Sequence, residues 1–203
     1  MSILNYRSPS MRIILSTMLL IGFALPLAAQ ECDTSRHPLS APAERFIDNG
    51  DGTVTDKNTA SMWMRCSLGQ EWNGKTCVGE ATLYSWEEIE TLADEFNLDG
   101  YAGQDDWRLP NLPEIGSITE GRCVNPRINT EVFPLTPHVA YWTIMTKPST
   151  NLVYVMHFGK GGVDAFEKTY RGPVRMLRGE RWWVPPSVRE MRKQEQEQEQ
   201  IFK

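Results

Sequence analysis

The sequence predicts an α+β domain of short strands and two helices, held by two disulfides. Three observations carry that expectation. Short β-prone runs separated by turn residues occupy both ends of the central region. Two segments with helix-start signals lie between them. Four cysteines, an even number, all fall beyond residue 29.

The first segment is read as an export signal. Residues 1–29 contain Arg7 and Arg12 but no acid, then an apolar run from Ile13 through Leu27, then the small exit Ala28-Ala29. A basic start, a short apolar core and small residues at the exit form the secretory pattern, and Met11 equally begins a tighter version of it. The apolar run is broken by Ser16, Thr17, Gly22 and Pro26, and is marginal for a span that needs roughly twenty residues. The signal is therefore expected to be cleaved, with the membrane met only in transit. Gln30-Glu31 stand between the small residues and Cys32, which argues against a lipid anchor. The expected localisation is exported: periplasm, cell surface or medium.

Cleavage removes two arginines and no acid, so the formal charge moves from −5 to −7. That negative balance argues against non-specific nucleic-acid binding. Residues 30–43 are rich in Pro, Ser and Ala and read as a lead-in arm to one domain over 44–180.

Within that domain, Arg45 to Asp56 holds two β-prone pieces around Asn49-Gly50-Asp51-Gly52, a strong hairpin signal. Met62-Trp63-Met64-Arg65 is a further strand. Ser85 followed by Glu88 forms a capping box, and Trp86, Ile89, Leu92-Ala93 and Phe96 recur at helical spacing until Asn97 to Gly100 end the helix. Asn111 and Glu114 repeat the box for a second helix reaching about Glu120, weakened by Gly116. Strands follow at 141–145, 153–158, 163–166 and 174–177, with Gly159 to Gly162 as a turn. Trp182-Trp183 closes the domain, and residues 181–203 form a charged, Gln/Glu-rich tail.

Four cysteines allow three pairings. Cys66 and Cys77 bracket a short turn-rich loop and are the natural local pair, which leaves Cys32 and Cys123 to clamp the N-terminal arm to mid-chain. In the chain-entropy model the short loop contributes about 3 kcal/mol and the long one about 4–5 kcal/mol.

Several spaced motifs point to a known family. They are Phe46-x-Asp48-Asn49-Gly50-Asp51-Gly52-Thr53-Val54-Thr55-Asp56, Met62-Trp63-x-x-Cys66, Cys77, and Gly100-Tyr101 with Asp106-Trp107-Arg108-Leu109-Pro110-Asn111. Cys123-x-Asn125-Pro126-x-Ile128-Asn129, Val132-Phe133-Pro134 and Val174-Arg175-Met176-Leu177-Arg178 follow. Over about residues 44–179 the chain resembles the Lcl C-terminal domain family, a bacterial domain named after the C-terminal domain of a collagen-like adhesin. The resemblance implies a C-type-lectin-like fold, a twisted antiparallel sheet with two flanking helices, and supports the pairs Cys66–Cys77 and Cys32–Cys123. The collagen-like stalk of that adhesin is missing from this sequence, so an oligomer would have to come from the domain surface or the tail.

Candidate chemistry is sparse. His37, His138 and His157 are scattered without acids at convincing metal-ligand spacing. No Gly-x-Ser-x-Gly elbow occurs, and Asp48 to Asp56 reads as turn chemistry rather than a calcium loop. No metal, cofactor or catalytic role is expected. In the resembled fold, long loops and the exposed sheet face carry recognition. The candidates are Trp72, Tyr84, Tyr101, Gln104, Tyr141 and Tyr154, because aromatic faces with polar tips suit sugar or protein contacts. Trp63, Trp86, Trp107 and Trp142 are read as core. Lys160, Lys168, Arg171, Arg175 and Arg178 suggest a basic stripe, against which Asp164 and Glu167 favour a mixed-charge face. The expected function is adhesion or recognition of a glycan or protein at the bacterial cell envelope. The alternative is a structural subunit of an envelope assembly that docks through the tail.

Overall fold

The computed structural model describes residues 30–35 and 37–180. The expected signal over 1–29 and tail over 181–203 lie outside the described residues.

Strand β1 (Glu31–Cys32) belongs to the lead-in arm. The expected hairpin forms as β2 (Phe46–Asp48) and β3 (Thr53–Asp56), in register from Phe46–Asp56 to Asp48–Val54. Its turn needs glycine twice, since Gly50 and Gly52 sit at φ +82° and +88°. Asp48 Oδ1 accepts from Gly50 N at 2.9 Å and Asp51 Oδ1 from Thr53 N at 3.0 Å, so these carboxylates are used by the turn. Strand β4 (Met62–Met64) pairs with β3. In the following loop, β5 (Glu71–Trp72) pairs with β6 (Cys77–Val78).

Helix α1 (Trp86–Asp99) begins where Glu88 Oε2 accepts from Ser85 N at 2.6 Å and ends at Gly100, φ +67°. Helix α2 (Leu112–Ser117) is shorter than expected. Its capping box is complete, with Asn111 Oδ1 accepting from Glu114 N and Glu114 Oε2 from Asn111 N, both at 2.8 Å. It stops because Ile118 leaves helical geometry and Thr119 N turns back to Gly116 O at 3.1 Å.

Strand β7 (Cys123–Val124) pairs with β1, placing Cys123 opposite Cys32. Strands β8 (Ala140–Thr146), β9 (Leu152–His157) and β10 (Val163–Glu167) form a three-stranded antiparallel sheet in the order β10-β9-β8. Strand β11 (Leu177–Arg178) joins a second sheet in the order β11-β4-β3-β2. The strands are thus divided among separate sheets instead of forming one. The segment before β11 links the two larger ones: Pro173 O accepts from Trp142 N, while Val174 O and Met176 O accept from Leu68 N and Met64 N. With successive carbonyls serving different neighbours, this stretch does not make the longer ladder expected over 174–177. Among the described residues the architecture is sheet-rich with two α-helices, an α+β arrangement.

Both disulfides are formed, Cys32–Cys123 and Cys66–Cys77. The core lies in two clusters. Trp63, Ile115, Phe133 and Phe158 belong to one, and Trp86, Trp107, Trp142 and Val155 to the other. The four tryptophans assigned to the core are all buried there; truncating any one to Ala would cost about 3–5 kcal/mol.

Two surface assignments are corrected. Tyr141 is fully buried, its ring 4.9 Å from that of Phe158 and its Oη 2.6 Å from Ser67 Oγ. Strand β8 is covered on both faces from Ala140 to Thr143, so alternation has no outward side to offer Tyr141. Arg175 is also fully buried, not part of a basic stripe. Its guanidinium donates to Met64 O at 2.9 Å, to Arg65 O and to Thr136 Oγ1 at 2.8 Å, and lies 5.0 Å from the Phe133 ring centroid.

Candidate functional site

Three loops meet at Gly52. The hairpin turn supplies Gly52 itself, the Cys66–Cys77 loop supplies Trp72, and the loop after α1 supplies Tyr101. A Cβ on Gly52 would come within 2.5 Å of Tyr101 Oη and 2.8 Å of Trp72 Cβ. Both aromatic residues therefore close on a position that only glycine fills. Each remains half-buried, with part of its surface open to solvent.

Trp72 is held on one face by Arg65, whose Cζ stands over the ring 4.1 Å from the indole centroid. Arg65 is fixed in turn. Nη1 donates to Asp48 Oδ2 at 2.6 Å, Nε to Val132 O at 3.0 Å and Nη2 to Glu131 O at 3.0 Å. Its backbone N donates to Gly52 O at 2.9 Å. One arginine thereby joins the hairpin, the disulfide loop and the 131–132 segment.

Tyr101 packs edge-on against Trp107 at 5.7 Å and lies 5.8 Å from Phe96. Its backbone N and O both pair with Gln104 at 3.0 Å, so Gln104 stays beside it. Burial, and then the Asp51 carboxylate, raise the Tyr101 hydroxyl above its ordinary value and keep it a protonated donor. Next to this corner a cavity of about 160 Å³ is floored by Phe46, Val54 and Val132 and rimmed by Asp48, Arg65 and Glu131.

Of the sequence candidates, the structure brings together Trp72, Tyr101 and Gln104. Tyr84 sits instead in a bridge with Gly172, its carbonyl accepting from Trp142 Nε1 at 2.8 Å. Tyr154 lies on β9 opposite Ala165, and Tyr141 is core. Sequence reading missed Arg65 and the second role of Gly52. The Asn-Gly-Asp-Gly turn signal explains Gly52 locally and gives no hint of the aromatics above it.

The late cations are mostly paired. Lys160 meets Asp164 at 2.8 Å, Arg171 meets Glu88 at 2.9 Å and Arg178 meets Asp106 at 2.5 Å. Arg108 makes a bidentate pair with buried Glu114, at 2.8 and 2.9 Å, and ties α2 to Gly179 O. Among the described residues, no group of three or more His, Cys, Asp or Glu is arranged to hold a metal ion.

These features define a disulfide-stapled α+β domain whose loops gather a fixed aromatic corner. The Lcl C-terminal domain model matches residues 52–178, a span that contains Gly52, Trp72 and Tyr101. The chain belongs to the Lcl C-terminal domain family. No curated protein matches it.

Proposed function

We propose that this protein is an exported, non-catalytic binding domain of C-type-lectin-like type, serving adhesion or recognition of glycans or proteins at the bacterial cell envelope. The observation that carries the reading is the convergence of Trp72 and Tyr101 on Gly52. Rigid aromatics with polar tips give large contact area at low entropic cost, which suits a recognition surface. Here the cost is lowered further by the Cys66–Cys77 bond and by the Arg65 clamp.

Export agrees with two disulfides, which persist in oxidising compartments. No helix among the described residues is long and apolar enough to cross a membrane. The cysteines are spent in structural bonds, leaving none as a nucleophile. Pairing of Lys160, Arg171 and Arg178 with acids, and the burial of Arg175, disfavour sulfated polyanions as ligands. Neutral glycans or protein surfaces are the expected class.

A glycan array probed with the mature protein, with and without calcium, tests this. Calcium-independent binding to neutral glycans supports the reading. Salt-dependent retention on heparin, without neutral-glycan or protein binding, overturns it.

A further inference from the structure

The lead-in arm begins at a side chain that the domain grips. Gln30 Nε2 donates to Pro126 O at 2.6 Å and to Ile128 O at 2.5 Å, and its Oε1 accepts from Thr130 Oγ1 at 2.9 Å. Both amide protons are therefore used. The next residues continue the attachment: Glu31 and Cys32 pair with Val124 and Cys123, Cys32 is bonded to Cys123, and Asp33 N donates to Arg122 O at 2.8 Å. The gripped carboxamide lines a cleft of about 280 Å³ together with Asn125, Pro126, Leu135 and His138.

This inference rests on the export reading, in which the signal is removed after Ala29 and Gln30 carries the free α-amine. An N-terminal glutamine has a characteristic reaction. The α-nitrogen attacks its own Cδ, the new C–N bond closes a lactam, the Cδ–Nε2 bond breaks, and Nε2 leaves as ammonia with a proton from the amine. Ring closure requires the side chain to fold back on its own backbone. Here the carboxamide is held by the 126–130 segment, and closure would give up three hydrogen bonds.

We propose that Gln30 is the first residue of the mature chain and that the domain keeps it as an anchored, uncyclised glutamine. The mature protein then keeps a free α-ammonium group on the residue whose carboxamide is gripped. The same grip seats the arm so that Cys32 meets Cys123.

N-terminal peptide mapping and intact mass of the exported protein test the proposal. Each is followed over time for the folded protein and for the same protein in denaturant with its disulfides intact. The expected result is a chain that starts at Gln30 and retains its ammonia when folded. Loss of ammonia should run at least roughly tenfold faster in denaturant, since each net hydrogen bond contributes about a fivefold factor. Thr130→Val, shown to be folded by near-UV circular dichroism, should cyclise at an intermediate rate. Pyroglutamate in freshly exported folded protein, or equal rates folded and denatured, would overturn the lock. A first residue other than Gln30 would overturn the proposal through the export reading instead.

Discussion

The Arg65 guanidinium lies 4.1 Å from the centroid of the Trp72 indole while its Nη1 holds Asp48 at 2.6 Å. A cation on one face and a two-stranded disulfide loop behind leave Trp72 little freedom. Its remaining open surface is therefore presented in one orientation, which is what separates a recognition residue from a mobile surface aromatic.

Arg65→Met keeps much of the stem packing but removes the stacked charge and orphans two carbonyl acceptors, Val132 O and Glu131 O. Equilibrium denaturation should show a loss of about 2–3 kcal/mol. Asp48 is largely exposed, so Asp48→Asn should cost under about 1 kcal/mol. Equal losses for the two variants would contradict the clamp.

Gly52→Ala and Gly50→Ala separate backbone strain from close approach. Both residues have positive φ, but a Cβ at Gly50 meets nothing within 4 Å, whereas one at Gly52 meets Tyr101 and Trp72. Gly50→Ala should cost about 1 kcal/mol for its conformation alone. Gly52→Ala should cost at least about 2 kcal/mol and change the near-UV circular dichroism of the aromatics. Matching values in thermal denaturation would show that the corner is looser than described.

The β9–β10 turn should be acid-sensitive. His157 Nδ1 accepts from Gly159 N at 3.1 Å and Lys160 N at 3.2 Å, so that nitrogen must carry no proton. Burial, then the Lys160 charge, depress its pKa, with Asp164 opposing them. A depressed folded value means the unfolded chain takes up the proton first. The turn's contribution is then fully present above the unfolded value of about 6.5 and is lost as pH falls through the folded one. Protection at Gly159 and Lys160, taken as the intrinsic amide-exchange rate at each pH divided by the observed one, should fall on acidification, and His157→Ala should abolish that pH dependence. Protection that stays flat across this range would contradict the assignment.

Much of the frame was legible in the sequence because its signals are local. Asn49-Gly50 and Asp51-Gly52 mark their own turn, Glu88 and Glu114 mark the helix starts, and the short cysteine loop marks its own bond. What escaped depends on distant parts of the chain. Arg175 reads as a surface cation among Lys168, Arg171 and Arg178, and it is the Met64 and Arg65 carbonyls and the Thr136 hydroxyl, brought beside it by the fold, that make a buried guanidinium tolerable. Tyr141 alternates like a half-exposed strand residue, yet its strand is covered on both faces. The site was legible in part: Trp72, Tyr101 and Gln104 stood among the candidates, but the meeting of Trp72 and Tyr101 at Gly52 joins three loops far apart in sequence, and nothing in the pattern of any one loop reports it.

In the proposed function the Trp72–Tyr101 corner is the recognition surface. Its most direct test is the affinity of Trp72→Ala for a ligand identified on the array, measured beside wild type and Tyr84→Ala under conditions where all three are folded. Trp72→Ala should bind at least roughly tenfold more weakly, in the range of a hot-spot truncation, and Tyr84→Ala with wild-type affinity. Unchanged affinity on losing Trp72 would contradict it.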